Sequence, residues 1–260
     1  PFVKTNKNDR NDAEGIVEAA SRPAMRFVAV KSIEQQDIQA LHRLRELYVH
    51  QRTAVINHVR AALAERGRAI GKSPAAFHRA MPAVLASDSG EITADCRGLL
   101  LDALQHLQAI EQHINGADAR IKQLMKSSEL CQRIGQIEGV GPLTATAVVA
   151  AVGDAKQFKN GRHLAAWLGL VPRQYSSGGR SRLCGISKRG DAYLRTLLIH
   201  GARSVLRWVG DKQDAHSRWL RELVDRRGFN CAAVALANKN ARIIQVVLSS
   251  ERAYRPAAAA

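Results

Sequence analysis

The spacing of apolar positions along the chain predicts a protein built mainly from α-helices. Between residues 34 and 127, apolar side chains recur about three, four and seven positions apart, which places them on one face of a helix. The first run contains Leu41, Leu44, Tyr48, Val55, Val59 and Leu63. Prolines and glycines then interrupt the pattern, and they predict a break between two long helices. They are Gly67, Gly71, Pro74, Pro82 and Gly90.

The second run starts near Cys96 and has a more regular period. From Ala103 to Leu124, apolar residues alternate four and three positions apart, which is a heptad pattern. Two such helices joined by a turn region predict an antiparallel coiled-coil hairpin over residues 34–128. A hairpin of this kind is typical of a spacer or a dimer arm, so the heptads also predict a homo-oligomer, a dimer or a tetramer.

The segments on either side of this hairpin differ in character. In residues 1–33, Asn11 or Asp12 is expected to cap a short helix over residues 13–20, which Pro23 ends, and residues 25–32 read as a short β-strand. Residues 129–260 are helical and basic. They hold 21 Lys and Arg against 9 Asp and Glu, so a net +12 of the total +16 lies here. Charge concentrated in one region is typical of a binding surface.

The overall composition narrows the possible partners. With 46% apolar residues, the chain is able to bury a core, and a sequence pI of about 10.4 favours nucleic acid over the less frequent alternative, an anionic membrane. Neither a membrane-spanning apolar run nor a signal peptide is recognisable, which predicts a cytoplasmic protein. Four widely separated cysteines predict neither disulfides nor a zinc site.

A Gly-Val-Gly-Pro segment is the first candidate for contact with nucleic acid. Gly139 and Gly141 permit a tight turn, and Pro142 suits the first position of the alanine-rich helix that follows. The free amides at such a helix start bind phosphate. The pattern resembles the helix-hairpin-helix motif, which grips the nucleic-acid backbone, although a plain helix–turn–helix corner would have the same glycines.

A basic segment rich in glycine and serine, residues 173–191, is the second candidate. Its sequence, RQYSSGGRSRLCGISKRGD, predicts a loop between two helices. The basic residues expected to contact phosphates are Arg173, Arg180, Arg182, Lys188, Arg189 and, just beyond, Arg195. A serine in this loop could attack a phosphodiester if arginines neutralised the developing charge. The segment offers no adjacent base, so the residues alone favour nucleic-acid contact over catalysis.

Two carboxylates near the start of the chain form a third candidate site. Asp9 and Asp12 are three residues apart and would share one face of a helical turn. Such a pair could hold a divalent metal for phosphoryl transfer, although two acids at this spacing are more often solvated surface.

Taken together, these segments resemble a known family. NDRNDAEGIVEAA, RLRELYVHQRTAVINHVRAALAERG, IEGVGPLTATAVVAAVGD and FKNGRHLAAWLGLVPRQYSSGGRSRLCGISKRGDAYLRTLLIHGARSVL closely resemble segments of DEDD-type insertion-sequence transposases. They are similar to the "one-ten" insertion-sequence family, whose members are recombinases directed by a structured bridge RNA. The resemblance covers nearly the whole chain.

The resemblance implies three parts and a mechanism. A RuvC-like domain of the RNase-H type binds Mg²⁺ through four acids, a coiled coil follows, and a C-terminal transposase domain carries a serine nucleophile. Asp9 and Asp12 match the last two acids, and Ser177 best matches the nucleophile, with Ser176 and Ser181 as less favoured neighbours. The implied partners are DNA, a guide-type structured RNA and further copies of the chain, since the composite site joins two protomers. The resemblance also implies a bacterial cytoplasmic protein associated with the nucleoid.

One departure from the family pattern qualifies these expectations. The family's first Asp and its Glu belong to strands that would precede Pro1, so residues 1–33 are expected to be the remnant of an N-terminally truncated RuvC-like domain. Such a chain should bind nucleic acid but recombine poorly. The alternatives are a non-catalytic module that binds DNA or structured RNA, and a coiled-coil scaffold whose basic domain only neutralises charge.

Overall fold

The computed structural model describes residues 8–23, 25, 29–87, 90–250 and 254 of the chain. Helices dominate this part, so the prediction of a mainly α protein is confirmed. The chain divides into two compact units, Pro1–Ser32 and Ile33–Ala260. In order, the elements are α1 (Asp9–Ala20), α2 (Ile33–Ala64), α3 (Pro74–Leu85), α4 (Ala94–Ser127), α5 (Glu129–Gly135), α6 (Pro142–Val152), a 3₁₀ turn (Ala155–Gln157), α7 (Gly161–Trp167), β1 (Pro172–Ser177), β2 (Arg180–Ile186), α8 (Ala192–Arg207), α9 (Ala215–Arg227) and α10 (Phe229–Ser249).

In the first unit, α1 starts earlier than the sequence pattern predicts. The side chain of Asn8 accepts the backbone N–H of Asn11 at 2.8 Å and caps the helix, so the predicted caps at Asn11 and Asp12 are wrong. Asn8 supplies the same type of acceptor one turn earlier. Of the predicted strand over residues 25–32, residues 26–28 lie outside the described residues, and the described residues 29–32 form no strand.

In the second unit, α2 and α4 pair in opposite directions. Arg45 forms an ion pair with Asp118, and the ring of Tyr48 stacks on His113 with centroids 5.0 Å apart. As residue numbers rise along α2, those of the contacts fall along α4, which is an antiparallel arrangement. The α4 residues buried between Leu107 and Ile121 follow the heptad spacing: Leu107, Ile110, Ile114, Ala117 and Ile121.

A short helix, α3, lies between the two long ones. Pro74 opens it, and the Ser73 hydroxyl accepts the N–H of Ala76 at 3.2 Å. The expectation that Pro82 breaks helical structure is wrong, because Pro82 lies inside α3. At this position the ring removes only the one N–H that would bond the carbonyl of His78, and burial of Phe77 and Met81 holds the helix in place.

The C-terminal core is assembled around α10. Small buried residues on this helix let α5, α7, α8 and α9 come close: Ala232, Ala233, Ala237 and Ala241. At the tightest point, a Cβ added to Gly161 would lie 2.7 Å from the Cα of Arg242. Among the described residues, α10 is the one helix whose length and hydropathy would suit a membrane span, but half of that window is buried inside the protein, as expected of a core helix.

Candidate nucleic-acid interface

The segment predicted as a Gly/Ser loop is a β-hairpin. β1 and β2 pair antiparallel, and Ser177 lies directly opposite Arg180 across the two-residue connection. Gly178 and Gly179 have φ values of +55° and +76°. Positive φ at both central positions is characteristic of the type I′ turn, whose twist suits a hairpin. The prediction of a loop was therefore wrong. Gly-Gly between two strands is a hairpin turn signal, but the flanking residues are also common in loops and hid the strands.

The register of the hairpin separates the serines. Side chains alternate between the two faces of a strand, and directly paired residues share a face. Ser177 therefore shares a face with Arg180 and with the next-but-one pair, Tyr175 and Arg182. The neighbouring Ser176 points to the opposite face.

On that opposite face, Ser176 is already engaged within its strand. Its hydroxyl accepts a hydrogen bond from Nε2 of Gln174 at 2.7 Å. Ser181 lies opposite Ser176 in the register, and Leu183 lies opposite Gln174. Ser177, unlike Ser176, therefore lies on the face that carries Arg180 and Arg182.

The first strand of the hairpin is exposed along its length. Every side chain of β1 is exposed, including Arg173, and Tyr175 keeps 61% of its surface accessible. The register shifts between Pro172 and Gln174, so Arg173 lies at a bulge. An exposed hairpin that carries cations and an aromatic ring is suited to contact with a polyanion.

The predicted cations at the base of the hairpin divide into two groups. Lys188 and Arg189 are exposed. Arg195 instead donates from Nη1 to the carbonyl oxygens of Leu168 and Arg189, each at 3.0 Å. The structure therefore places Arg195 as a tie between α8 and the segment that carries the hairpin, with part of its guanidinium engaged inside the protein.

The predicted Gly-Val-Gly turn connects α5 to α6. Gly139 has φ +85°, and a Cβ placed on it would lie 3.0 Å from the carbonyl oxygen of Gly201 in α8. Gly139 thus serves packing as well as turn geometry. Gly141 caps α6 without a side-chain hydrogen bond, next to Pro142 at the helix start, and has open space around its Cα. The exposed backbone at Gly141 is therefore the part of this turn that a phosphate could approach.

The two predicted metal ligands, Asp9 and Asp12, lie in the first turn of α1 with exposed side chains. Within the described ranges, no group of three or more Asp, Glu, His or Cys side chains comes together to hold a metal ion. Mg²⁺ in proteins prefers near-octahedral oxygen coordination. Two carboxylates on one exposed turn do not make up such a site by themselves.

The paired helices α2 and α4 are called the helical arm. A buried polar network links this arm to the C-terminal core, and the sequence pattern did not predict it. His42 of α2 contacts the Tyr193 hydroxyl through Nδ1 at 2.9 Å and Thr146 Oγ1 through Nε2 at 3.0 Å. Thr146 itself donates to the carbonyl oxygen of Pro142 at 2.7 Å. Because the Thr146 hydroxyl proton is used in that bond, its oxygen can only accept from His42. His42 therefore carries its proton on Nε2 and accepts from Tyr193 at Nδ1.

Burial governs the protonation of this network. It lowers the pKa of His42 to about 4, with a further lowering by the charge of Arg45. Burial also raises the pKa of Tyr193 to about 12. Both groups are neutral at pH 7. Nothing in the sequence marks them, because more than 100 residues separate His42 from both partners.

These features define a class: a basic, mainly helical protein whose exposed hairpin presents a serine beside arginines. Sequence comparison identifies the family. Residues 131–220 match the model of the IS116/IS110/IS902 transposase family, and residues 2–66 match the DEDD transposase model of IS110.

Individual relatives support the same assignment. The chain is 51% identical over 257 residues to a "probable family 20 transposase" of Pseudomonas aeruginosa, covering 98% of this chain and 76% of that protein. It is 49% identical to the transposase for insertion sequence element IS1111A of Coxiella burnetii, covering 98% and 70%. It is 38% identical to the IS1328 transposase of Yersinia enterocolitica, covering 95% and 73%. The chain belongs to the IS110/IS116 transposase family.

Proposed function

We propose that this chain acts in DNA transposition by cleaving and rejoining DNA strands through Ser177. The observation that carries the proposal is the hairpin register, which puts Ser177 at the turn, opposite Arg180 and on the same face as Arg182. Membership of a transposase family supports DNA as the substrate. The exposure of the hairpin supports access by a long polymer.

The proposed step is a phosphoryl transfer to the serine. Ser177 Oγ attacks the phosphorus of a DNA phosphodiester, and an Oγ–P bond forms as a P–O bond to deoxyribose breaks. The serine proton passes to a base, and the leaving deoxyribose oxygen takes up a proton. The guanidinium groups of Arg180 and Arg182 stabilise the negative charge on the phosphoryl oxygens. Attack on the phosphoserine by a hydroxyl of a second strand restores the serine and exchanges the strands.

The base for this reaction comes from outside the hairpin, since Pro172–Ile186 contains no His, Asp or Glu. By resemblance, Asp9 and Asp12 of another protomer would contribute to a magnesium-dependent acidic site, and a structured guide RNA would choose the DNA sequence. The described acids do not complete that site. We therefore expect the chain alone to bind nucleic acid but to exchange strands poorly.

The test is a search for the covalent intermediate. The chain is incubated with nicked duplex DNA, denatured, and analysed for a protein–DNA adduct. We expect an adduct that Ser177→Ala abolishes and that Ser176→Ala, the matched control on the opposite face, retains. An adduct that survives in Ser177→Ala would show that another residue is the nucleophile.

A second candidate function is a non-catalytic nucleic-acid-binding module. The lack of an acid or histidine within the hairpin favours it, because a serine without a nearby base is a weak nucleophile. This candidate predicts salt-dependent binding of DNA or RNA with no adduct from the unmutated chain under any of these conditions.

A further inference from the structure

Two cavities meet on the surface of α10. One, of about 870 Å³, lies between α10, Trp219 of α9 and the base of the hairpin, and the other, of about 690 Å³, lies between α10 and the start of α7. Both are lined by Lys239 and Arg242. Together, the two cavities are called the α10 groove. Its polar and aromatic lining residues include Asn160, Arg162, Trp219, Asn238, Lys239 and Arg242.

The α10 groove is positively charged. The described residues that line it include the cations Arg162, Lys239 and Arg242 but no Asp or Glu. Lys239 and Arg242 are three residues apart on one helix, so their charges repel. Burial and the nearby charge of Arg242 both lower the pKa of Lys239. A bound anion would relieve this repulsion.

The lysine in the α10 groove is held in place before any ligand arrives. Its Nζ lies 4.4 Å from the ring centroid of Trp219, a cation–π contact. The ring of His216 stacks near Trp219, with centroids 5.8 Å apart and planes 14° from parallel. An ordered cation loses less conformational entropy on binding than a free lysine side chain does.

The other side of the groove is equally constrained. Gly161 packs directly on the backbone of Arg242, which fixes the start of α7 against α10. Arg162 and Arg242 consequently line the same cavity from two different helices. The backbone segments that carry Arg162 and Arg242 are therefore held together before any ligand binds.

We propose that the α10 groove binds the sugar–phosphate backbone of a second DNA segment, separate from the segment that the hairpin contacts. This inference rests on the proposed function, because strand exchange joins two DNA segments and the protein must hold both. The groove carries three cations, contributed by α7 and α10, and an aromatic residue beside Lys239, which suits a chain of phosphates better than a single small anion.

The first test is a lysine footprint on the unmutated chain. Lys239 and, as a control, Lys122, an exposed lysine of α4, are labelled with an amine-acylating reagent in the absence and in the presence of DNA. Duplex DNA should protect Lys239 and leave Lys122 reactive. The protection should persist in Arg180→Gln/Arg182→Gln, in which the hairpin contact is weakened.

The second test measures bridging of two DNA molecules. One duplex is immobilised, and capture of a second, fluorescent duplex by the protein is recorded. We expect Lys239→Gln/Arg242→Gln to lose most of the bridging while still binding a single duplex. Arg226→Gln/Arg227→Gln, which removes the same charge from the exposed end of α9, should bridge normally.

Several results would overturn the groove assignment. They are unchanged bridging in the groove variant, loss of bridging in both variants alike, or protection of Lys239 by polyglutamate or structured RNA but not by duplex DNA. The serine chemistry is tested separately. Normal bridging without a covalent adduct would leave the α10 groove in place and would count against the nucleophile alone.

Discussion

Nε2 of His42 lies 3.0 Å from Oγ1 of Thr146, and this buried hydrogen bond joins the helical arm to the helix that follows the Gly-Val-Gly turn. The chain of donors runs from Tyr193 through His42 and Thr146 to the carbonyl of Pro142. The arm is thus tied by directional bonds to both α6 and α8, and its orientation does not depend on apolar packing alone.

Removing the histidine should destabilise the fold. His42→Leu keeps a similar volume but leaves the hydroxyl of Tyr193 without its buried acceptor and Thr146 Oγ1 without its donor. We expect a loss of about 1–3 kcal/mol in the free energy of unfolding. Urea denaturation measures it, and His58→Leu, on the exposed side of the same helix, should cost much less. Equal effects of the two substitutions would contradict the role of the network.

The same histidine makes stability depend on pH. Its pKa is about 4 in the folded protein and about 6.5 when exposed, so the unfolded state binds more protons between these values. The contribution of His42 to the free energy of unfolding is complete above about pH 6.5. It is lost as the pH falls towards 4, by up to about 3 kcal/mol. Unfolding measured across this range should show a slope that His42→Leu reduces. An unchanged slope in the variant would refute the assignment.

The contact between Gly139 and Gly201 predicts a strict requirement for glycine. A Cβ on Gly201 would overlap the carbonyl oxygen of Gly139, so Gly201→Ala must push α8 away from the turn. We expect a loss of about 1–3 kcal/mol. Gly116→Ala is the control, because Gly116 also lies in a helix but has open space around it and should gain up to about 1 kcal/mol. Thermal or urea unfolding distinguishes the two cases.

The exposed hairpin predicts a measurable change in the salt dependence of DNA binding. Each phosphate contact contributes about 0.9 to the slope of log K against log salt concentration for duplex DNA. Arg180→Gln and Arg182→Gln should therefore each lower the slope by about 0.9. Arg227→Gln, at the end of α9, is the matched control and should leave the slope unchanged. If the hairpin variants behave like this control, the hairpin does not contact the DNA backbone.

Periodic elements were predictable from the sequence because their signals are local. The heptad from Leu107 to Ile121 marks the buried face of α4, and the proline at position 142 marks the start of α6. The hairpin was missed because serine, glycine and arginine are compatible with both a loop and a strand. Here the pairing across the turn decides between the two.

The links between distant segments could not be predicted. In the sequence, His42 cannot be distinguished from the other polar residues of an amphipathic helix. Only the fold brings Tyr193 and Thr146 next to it. Lys239 likewise belongs to an apolar helix, and its position over Trp219 depends on how α9 packs against α10. By contrast, the roles of Ser177 and Asp9 came from family resemblance and stay predictions.

The exposure of β1 has a consequence for how this protein can change. Because none of the side chains from Pro172 to Ser177 is buried, substitutions there are released from the packing constraints that apply to α10. The stability of the fold therefore does not depend on packing by these six side chains. The hairpin can diversify, in nature or in directed evolution, while the scaffold that carries it stays intact.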